Sequence, residues 1–231
     1  MTDAVAPAAT KVLAWDGPTR LFKWALVLAV AGGWASDKLG GGNPVWHVWN
    51  GYFVLVLVVF RLLWGVVGGS TSRFANFLRS PLATIRYGFD LLRGREAHYL
   101  GHNPLGGWMV LALIGLPALM GLSGLFNADD DRLIVEGPFA AKLSDAAVHV
   151  AHRIHHWAFD LLLIAVVLHV AAVAFHAVVK KERLVPAMAT GRKPARDYAD
   201  EARATPGSVV AAIVCLAVAV LVVWGGVTLF R

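Results

Sequence analysis

Six of the nine histidines of this chain stand between Ser144 and Lys181, in a long run that is otherwise Ala, Val, Leu and Ile. They are His149, His152, His155, His156, His169 and His176. Even a neutral imidazole is costly in hydrocarbon, so a histidine inside an apolar span is a candidate for chemistry. His155 and His169 are the most informative pair. Fourteen residues at about 100° each fall some 40° short of whole turns, so both rings leave nearly the same helix face, about 21 Å apart along the axis. That separation is too large for one metal ion. It suits one axial ligand to each of two stacked cofactors. The competing reading is two buried histidines bonded to backbone or to neighbouring helices.

The elements that carry them are membrane helices. With 231 residues, 58% hydrophobic content and a mean hydropathy of +0.61, the composition is that of an integral membrane protein built as one bundle. The net charge of +6 belongs to particular loops, and no aromatic–basic RNA motif accompanies it, so nucleic acid is excluded as a partner. Cys215 is the only cysteine. This rules out an intrachain disulfide, a cysteine-rich iron–sulfur site and a C-x-x-C-H haem attachment. Any haem must be held without covalent linkage, as haem b.

The expected fold is all-α, a transmembrane bundle with a four-helix core and a fifth C-terminal span. Residues 1–19 read as a flexible or surface-lying leader, and not as a cleaved signal peptide. The core covers 20–180, with spans at about 21–36, 46–68, 104–126 and 148–179. An arginine-rich loop, 69–103, separates the second and third spans and carries an interfacial helix around 81–92. A linker occupies 181–206 and the fifth span 207–231. Pro104 opens the third span and Pro117 is expected to kink it.

Fifteen Lys and Arg residues fall on one side of this arrangement and four on the other. The positive-inside rule therefore puts the N-terminus in the cytoplasm and the C-terminus in the periplasm of an inner-membrane protein. Trp24, Trp64 and Trp108 fall near the inner face, and Trp34, Trp46, Trp49 and Trp224 near the outer.

This topology brings His47, at the start of the second span, and His155, near the start of the fourth, to the same outer depth, where they can clamp one haem iron from two helices. His169 lies at inner depth. Arg61, fourteen residues after His47, reaches that level and can meet a haem propionate or snorkel to the surface. The residue of the first span at the depth of His169 is Lys23. It is either a snorkelling topology signal or a neutral amine on iron, and His102 and His176 are inner-side substitutes. His149, His152 and His156 share an outer face. They read as interfacial residues, proton carriers near a quinone pocket, or a transition-metal site.

Pro18-Thr19-Arg20-Leu21-Phe22-Lys23-Trp24, His47-x-x-x-Gly51-Tyr52 followed by Arg61, Gly101-His102-Asn103-Pro104-Leu105-Gly106, and His155 fourteen residues before His169 together resemble the bacterial dihaem cytochrome b561 family. That family includes the cytochrome b subunits of Ni,Fe-hydrogenase and formate dehydrogenase, and the likeness covers about residues 12–190. The resemblance implies a four-helix core and two b haems, in an electron-transfer subunit of a respiratory oxidoreductase. Its partners would be membrane lipid, the quinone pool, and a periplasmic cytochrome c or an iron–sulfur or hydrogenase-type subunit. It also implies that His47 and His155 ligate the outer haem and His169 the inner one. Lys23 stands where the family carries histidine, which puts the coordination of the inner haem, and its presence, at issue. The acidic outer loop, with Asp129, Asp130, Asp131 and Glu136, is of the sign to dock a basic periplasmic partner. The alternative from another class is a haem-free metal or proton transporter using the histidine-rich fourth span. The other spans lack the broken half-helices and matching acids that such a transporter uses.

Overall fold

The structure, a computed structural model, describes residues 10–38, 44–128 and 137–230. The chain is helical almost throughout. In order it forms β1 (Lys11–Leu13), α1 (Gly17–Lys38), α2 (Pro44–Val67), α3 (Phe74–Phe77), α4 (Pro81–Leu92), α5 (Pro104–Gly124), α6 (Asp145–Val178), α7 (Leu184–Thr190), β2 (Arg192–Pro194) and α8 (Val209–Leu229). The helix starts follow their caps. Ser80, Asn103, Ser144 and Ser208 each accept the backbone N–H three residues on, satisfying donors that a helix leaves open. Proline occupies the first helical position of α4 and α5, where its missing N–H costs nothing.

Four helices, α2, α5, α6 and α8, are long and apolar enough to cross a membrane. At 22 residues, α1 has the length for a span, about 33 Å, but its apolarity is diluted by Arg20, Lys23, Asp37 and Lys38. It completes the bundle by packing along α2. The helix expected at 81–92 is α4, with those bounds. Pro117 is buried within α5, whose helix continues through it.

The helix α2 is the hub: α1, α5 and α8 all pack on it. The core therefore gathers Phe22 and Ala29 of α1, Val54, Leu57, Val58, Phe60 and Trp64 of α2, Ile114 of α5, and Cys215 and Ala219 of α8. By contrast α6 packs along α5 and makes no extensive contact with α1 or α2. One face of α6 therefore stands off from the helices that carry the other candidate ligands. Contacts also show which helix ends share a side. Trp49 near the start of α2 stacks on Trp224 near the end of α8, with ring centroids 5.4 Å apart.

At the opposite end the segments expected to be loose are tied down. Residues 10–16 are not a free leader: β1 pairs antiparallel with β2 of the supposed linker, Lys11 opposite Pro194, and Trp15 and Asp16 are buried. Asp16 explains the ordering. Its Oδ1 accepts the Thr19 N–H at 3.0 Å and caps α1. Its Oδ2 accepts the Gly69 and Gly207 N–H groups at 3.2 and 3.1 Å. One carboxylate thus binds the N-terminal segment, the end of α2 and the approach to α8. Composition marks 1–19 and 181–206 as polar or small, but a buried acid surrounded by backbone donors has no local sequence signature. Asp16→Ala leaves two buried N–H groups and a partly buried one without their acceptor and is expected to destabilise the fold by about 3 kcal/mol or more. Thermal unfolding in detergent measures this, and Asp16→Asn should recover part of the loss.

Beside this layer Glu182 gathers His176 (Nδ1 to Oε2, 3.0 Å), His98 (Nδ1 to Oε1, 2.9 Å) and Arg196. The hydrogen bond from His176, aided by Arg196 and opposed by burial, holds the Glu182 carboxyl at about 2, below its ordinary 4.5. A depressed carboxyl contributes stability that is complete above the unfolded value and lost as pH falls through the folded one. Stability should therefore decline between about pH 4.5 and pH 2. Glu182→Gln should flatten that decline in acid-unfolding curves.

Candidate functional site

His47 lies in the first turn of α2 and His155 in the third turn of α6. Their rings face each other with centroids 6.1 Å apart and planes inclined at 65°. Two imidazoles on opposite sides of one metal, with bonds of about 2 Å, have centroids roughly 6 Å apart. The α2 and α6 backbones do not pack together here, so the two rings meet across the gap between the helices.

Hydrogen bonds settle which nitrogen each ring presents. The Nδ1 of His155 lies 2.9 Å from the Met120 carbonyl. A carbonyl only accepts, so Nδ1 carries the proton and Nε2 keeps its lone pair. The Nδ1 of His47 lies 3.1 Å from Ser36 Oγ. That hydroxyl donates to the Gly33 carbonyl at 2.8 Å, so it accepts from His47, and again Nε2 is left as the electron-pair donor. Both rings are oriented as metal-ligating histidines are, by an anchored second nitrogen. The neighbouring glycines admit this. A Cβ on Gly124 would lie 3.3 Å from the His155 ring, tighter than ordinary contact. At Gly51, one turn after His47, a Cβ would meet nothing within 4 Å.

The inner end carries a different arrangement. His169 is half-buried on α6 and close enough to Lys23 for the two to interact electrostatically. Lys23 does not reach out to solvent. Its Nζ sits 3.5 Å from the centroid of the Trp15 ring, a contact that rewards an ammonium rather than a free amine. Arg61 is 3% exposed. It is no snorkelling residue: its guanidinium lies 4.6 Å from the Phe74 ring centroid and 6.0 Å from those of Phe22 and Phe77, and its Nη1 is buried with no hydrogen-bond partner. Leaving a buried guanidinium nitrogen without a partner is costly, and an anionic group placed here would satisfy it. His102 packs between Trp15 and Phe77, with centroids at 4.6 and 5.0 Å, while Asn103 caps α5.

These residues fit haem b. The outer pair offers two unprotonated Nε2 atoms across a helix gap, and the inner end offers His169 and an orphaned arginine for a propionate. The remaining histidines have other partners. His176 is bound to Glu182. His152 is 3.0 Å from Asn127 Oδ1, with its ring 4.4 Å from that of His156. Among the described residues no group of three or more His, Cys, Asp or Glu side chains is arranged to hold a metal ion. The acidic stretch Asp129, Asp130, Asp131 and Glu136 lies outside the described residues.

Sequence reasoning passed over Ser36, Gly124, the Met120 carbonyl and Trp15. Ser36, eleven residues before His47 at the opposite end of a short loop, was the one legible signal, because a hairpin of two helices brings those ends together. Residues 14–191 match the prokaryotic cytochrome b561 family. No curated protein and no solved structure matches the chain.

Proposed function

Because the chain belongs to the prokaryotic cytochrome b561 family, we propose that it carries electrons between a periplasmic redox partner and the quinone pool through two non-covalently bound b haems. As a member of that family it is a membrane b-type cytochrome of electron transfer, which sets aside the haem-free transporter. The observation that supports the ligand assignment is the facing pair His47 and His155, with both Nδ1 atoms anchored.

Haem supplies reversible one-electron chemistry when bound. The chain's residues do the rest. His47 and His155 would hold the outer iron, and the Met120 carbonyl and Ser36 keep both rings in the ligating tautomer and raise their basicity. His169 would hold the inner iron, and Arg61 would offer its unpaired Nη1 to a propionate. The aromatic wall of Phe22, Phe74 and Phe77 around Arg61 excludes water and strengthens that pairing. His155 and His169, fourteen residues and about 21 Å apart along α6, span much of the roughly 30 Å hydrocarbon layer. The basic side then faces the cytoplasm, with the N-terminus there and the C-terminus in the periplasm.

A pyridine haemochrome assay on the purified chain tests this reading. Two b haems per chain are expected. A colourless, folded preparation would overturn it, and a single haem would confine it to the outer site. Ser36→Ala removes only the acceptor for His47 Nδ1. It should weaken haem retention about 10- to 100-fold, measured as the rate of haem transfer to an apoglobin acceptor.

A further inference from the structure

The helix α4 lies in the arginine-rich segment between α2 and α5 and has two unlike flanks. Leu82, Ile85, Phe89 and Leu92, spaced i, i+3, i+7 and i+10, form a ridge in which every residue is more than half exposed. A helix with such a ridge lies in the membrane interface with its apolar face at the boundary of headgroups and acyl chains. An independent contact sets the same depth. The exposed indole of Trp108, at the start of α5, donates to the Arg79 carbonyl at 3.2 Å, and tryptophans of this kind sit at headgroup level.

On the flank adjoining the ridge, about 40° to 140° round from Leu82, a cavity of about 310 Å³ is lined by Arg79, Arg86, Arg95, Asp90, Tyr87 and Tyr99, among others. Asp90 is the only carboxylate among the lining residues, so three guanidinium groups outweigh one acid. Among the described residues none of the three arginines is in an ion pair. Arg79 donates only to the Leu78 carbonyl, at 3.4 Å.

We propose that this cavity binds the phosphodiester headgroup of an anionic phospholipid, with the acyl chains lying along the Leu82–Leu92 ridge. The guanidinium fork matches phosphate oxygens in pairs. The cavity opens at the depth where those oxygens lie, and the adjoining ridge supplies the apolar surface that a free anion would not use. A zwitterionic lipid carries its own ammonium group and cannot neutralise the three arginines to the same degree. Basic pockets beside membrane helices recognise anionic headgroups for this reason.

The full-length chain, purified in detergent and stripped of lipid, would be titrated with phosphatidylglycerol and with phosphatidylcholine and read by native mass spectrometry. Phosphatidylglycerol should be retained preferentially. Each of Arg79→Gln, Arg86→Gln and Arg95→Gln should weaken its binding roughly fivefold, and the triple variant on the order of 100-fold. Arg203→Gln, the same charge change outside the cavity, should have no effect. Asp90→Asn should tighten binding, a gain that misfolding does not imitate. Equal retention of the two lipids, or an unchanged triple variant whose helical content is intact, would overturn the proposal. Displacement of phosphatidylglycerol by inorganic phosphate would also overturn it, in favour of a soluble-anion site.

Discussion

His155→Ala and His47→Ala are each expected to remove about half of the haem of the purified chain, or to turn one of its two irons high-spin. The two rings are a matched pair across a helix gap, with centroids 6.1 Å apart, and neither has a substitute at its depth that is free to rotate in. His156 is next in sequence to His155, yet it points about 100° away round the helix and its ring packs on His152. His156→Ala should therefore leave haem content unchanged, which separates loss of a ligand from general damage to α6. The inclination of 65° between the ring planes adds a spectroscopic expectation. Strongly crossed imidazole planes leave the two iron d orbitals that bond with the rings nearly equal in energy. The outer site should then give a highly anisotropic low-spin EPR signal, and that signal should vanish in both variants. Retention of the signal and of full haem content in His47→Ala and His155→Ala would refute the pairing.

Lys23→His is expected to convert the inner site from a high-spin, ligand-binding iron to a low-spin pair while leaving the outer site untouched. In the wild-type chain the Lys23 Nζ lies 3.5 Å over the Trp15 ring, an arrangement that would leave His169 as the single protein ligand at the inner level. Losing one axial bond does not empty such a pocket, because burial of the apolar macrocycle supplies much of the binding energy and Arg61 awaits an anion. The expected wild-type result is two haems per chain, of which one binds carbon monoxide when reduced. In Lys23→His the carbon monoxide difference spectrum should fall by an order of magnitude or more, since an imidazole then fills the open position. One haem per wild-type chain would defeat retention of the inner group. Two low-spin bis-histidine signals in wild type would instead assign His102, packed between Trp15 and Phe77, as the second inner ligand.

Much of the helix inventory was legible beforehand, for a physical reason. A membrane helix must be about 20 residues long and nearly free of charge, and caps such as Ser144 and Asn103 act within three residues of themselves. Both requirements are local, so α2, α5, α6 and α8 could be drawn to within a few residues of their ends. The helix α4 was legible because its apolar ridge repeats at helical spacing. The common depth of His47 and His155 followed from topology and a rise of about 1.5 Å per residue.

The sequence by itself determined what is additive along the chain: which segments cross the membrane, on which side their basic flanks gather, and which histidines share a level. Rotation of one helix about its axis relative to another is not additive. It depends on packing among residues distant in sequence, here the seating of α6 on α5 and its separation from α1 and α2. Only the tertiary structure decided that the His47 and His155 rings face one another, that Ser36 and the Met120 carbonyl fix their tautomers, and that Arg61 is buried rather than snorkelled. It likewise decided where the Lys23 side chain lies. A lysine at that depth reads as a route to water, whereas the β1–β2 pairing brings Trp15 over the bundle end and gives the Lys23 Nζ an aromatic face instead. Residues 11–13 and 192–194 make that pair across nearly the whole chain, and no local propensity reaches so far.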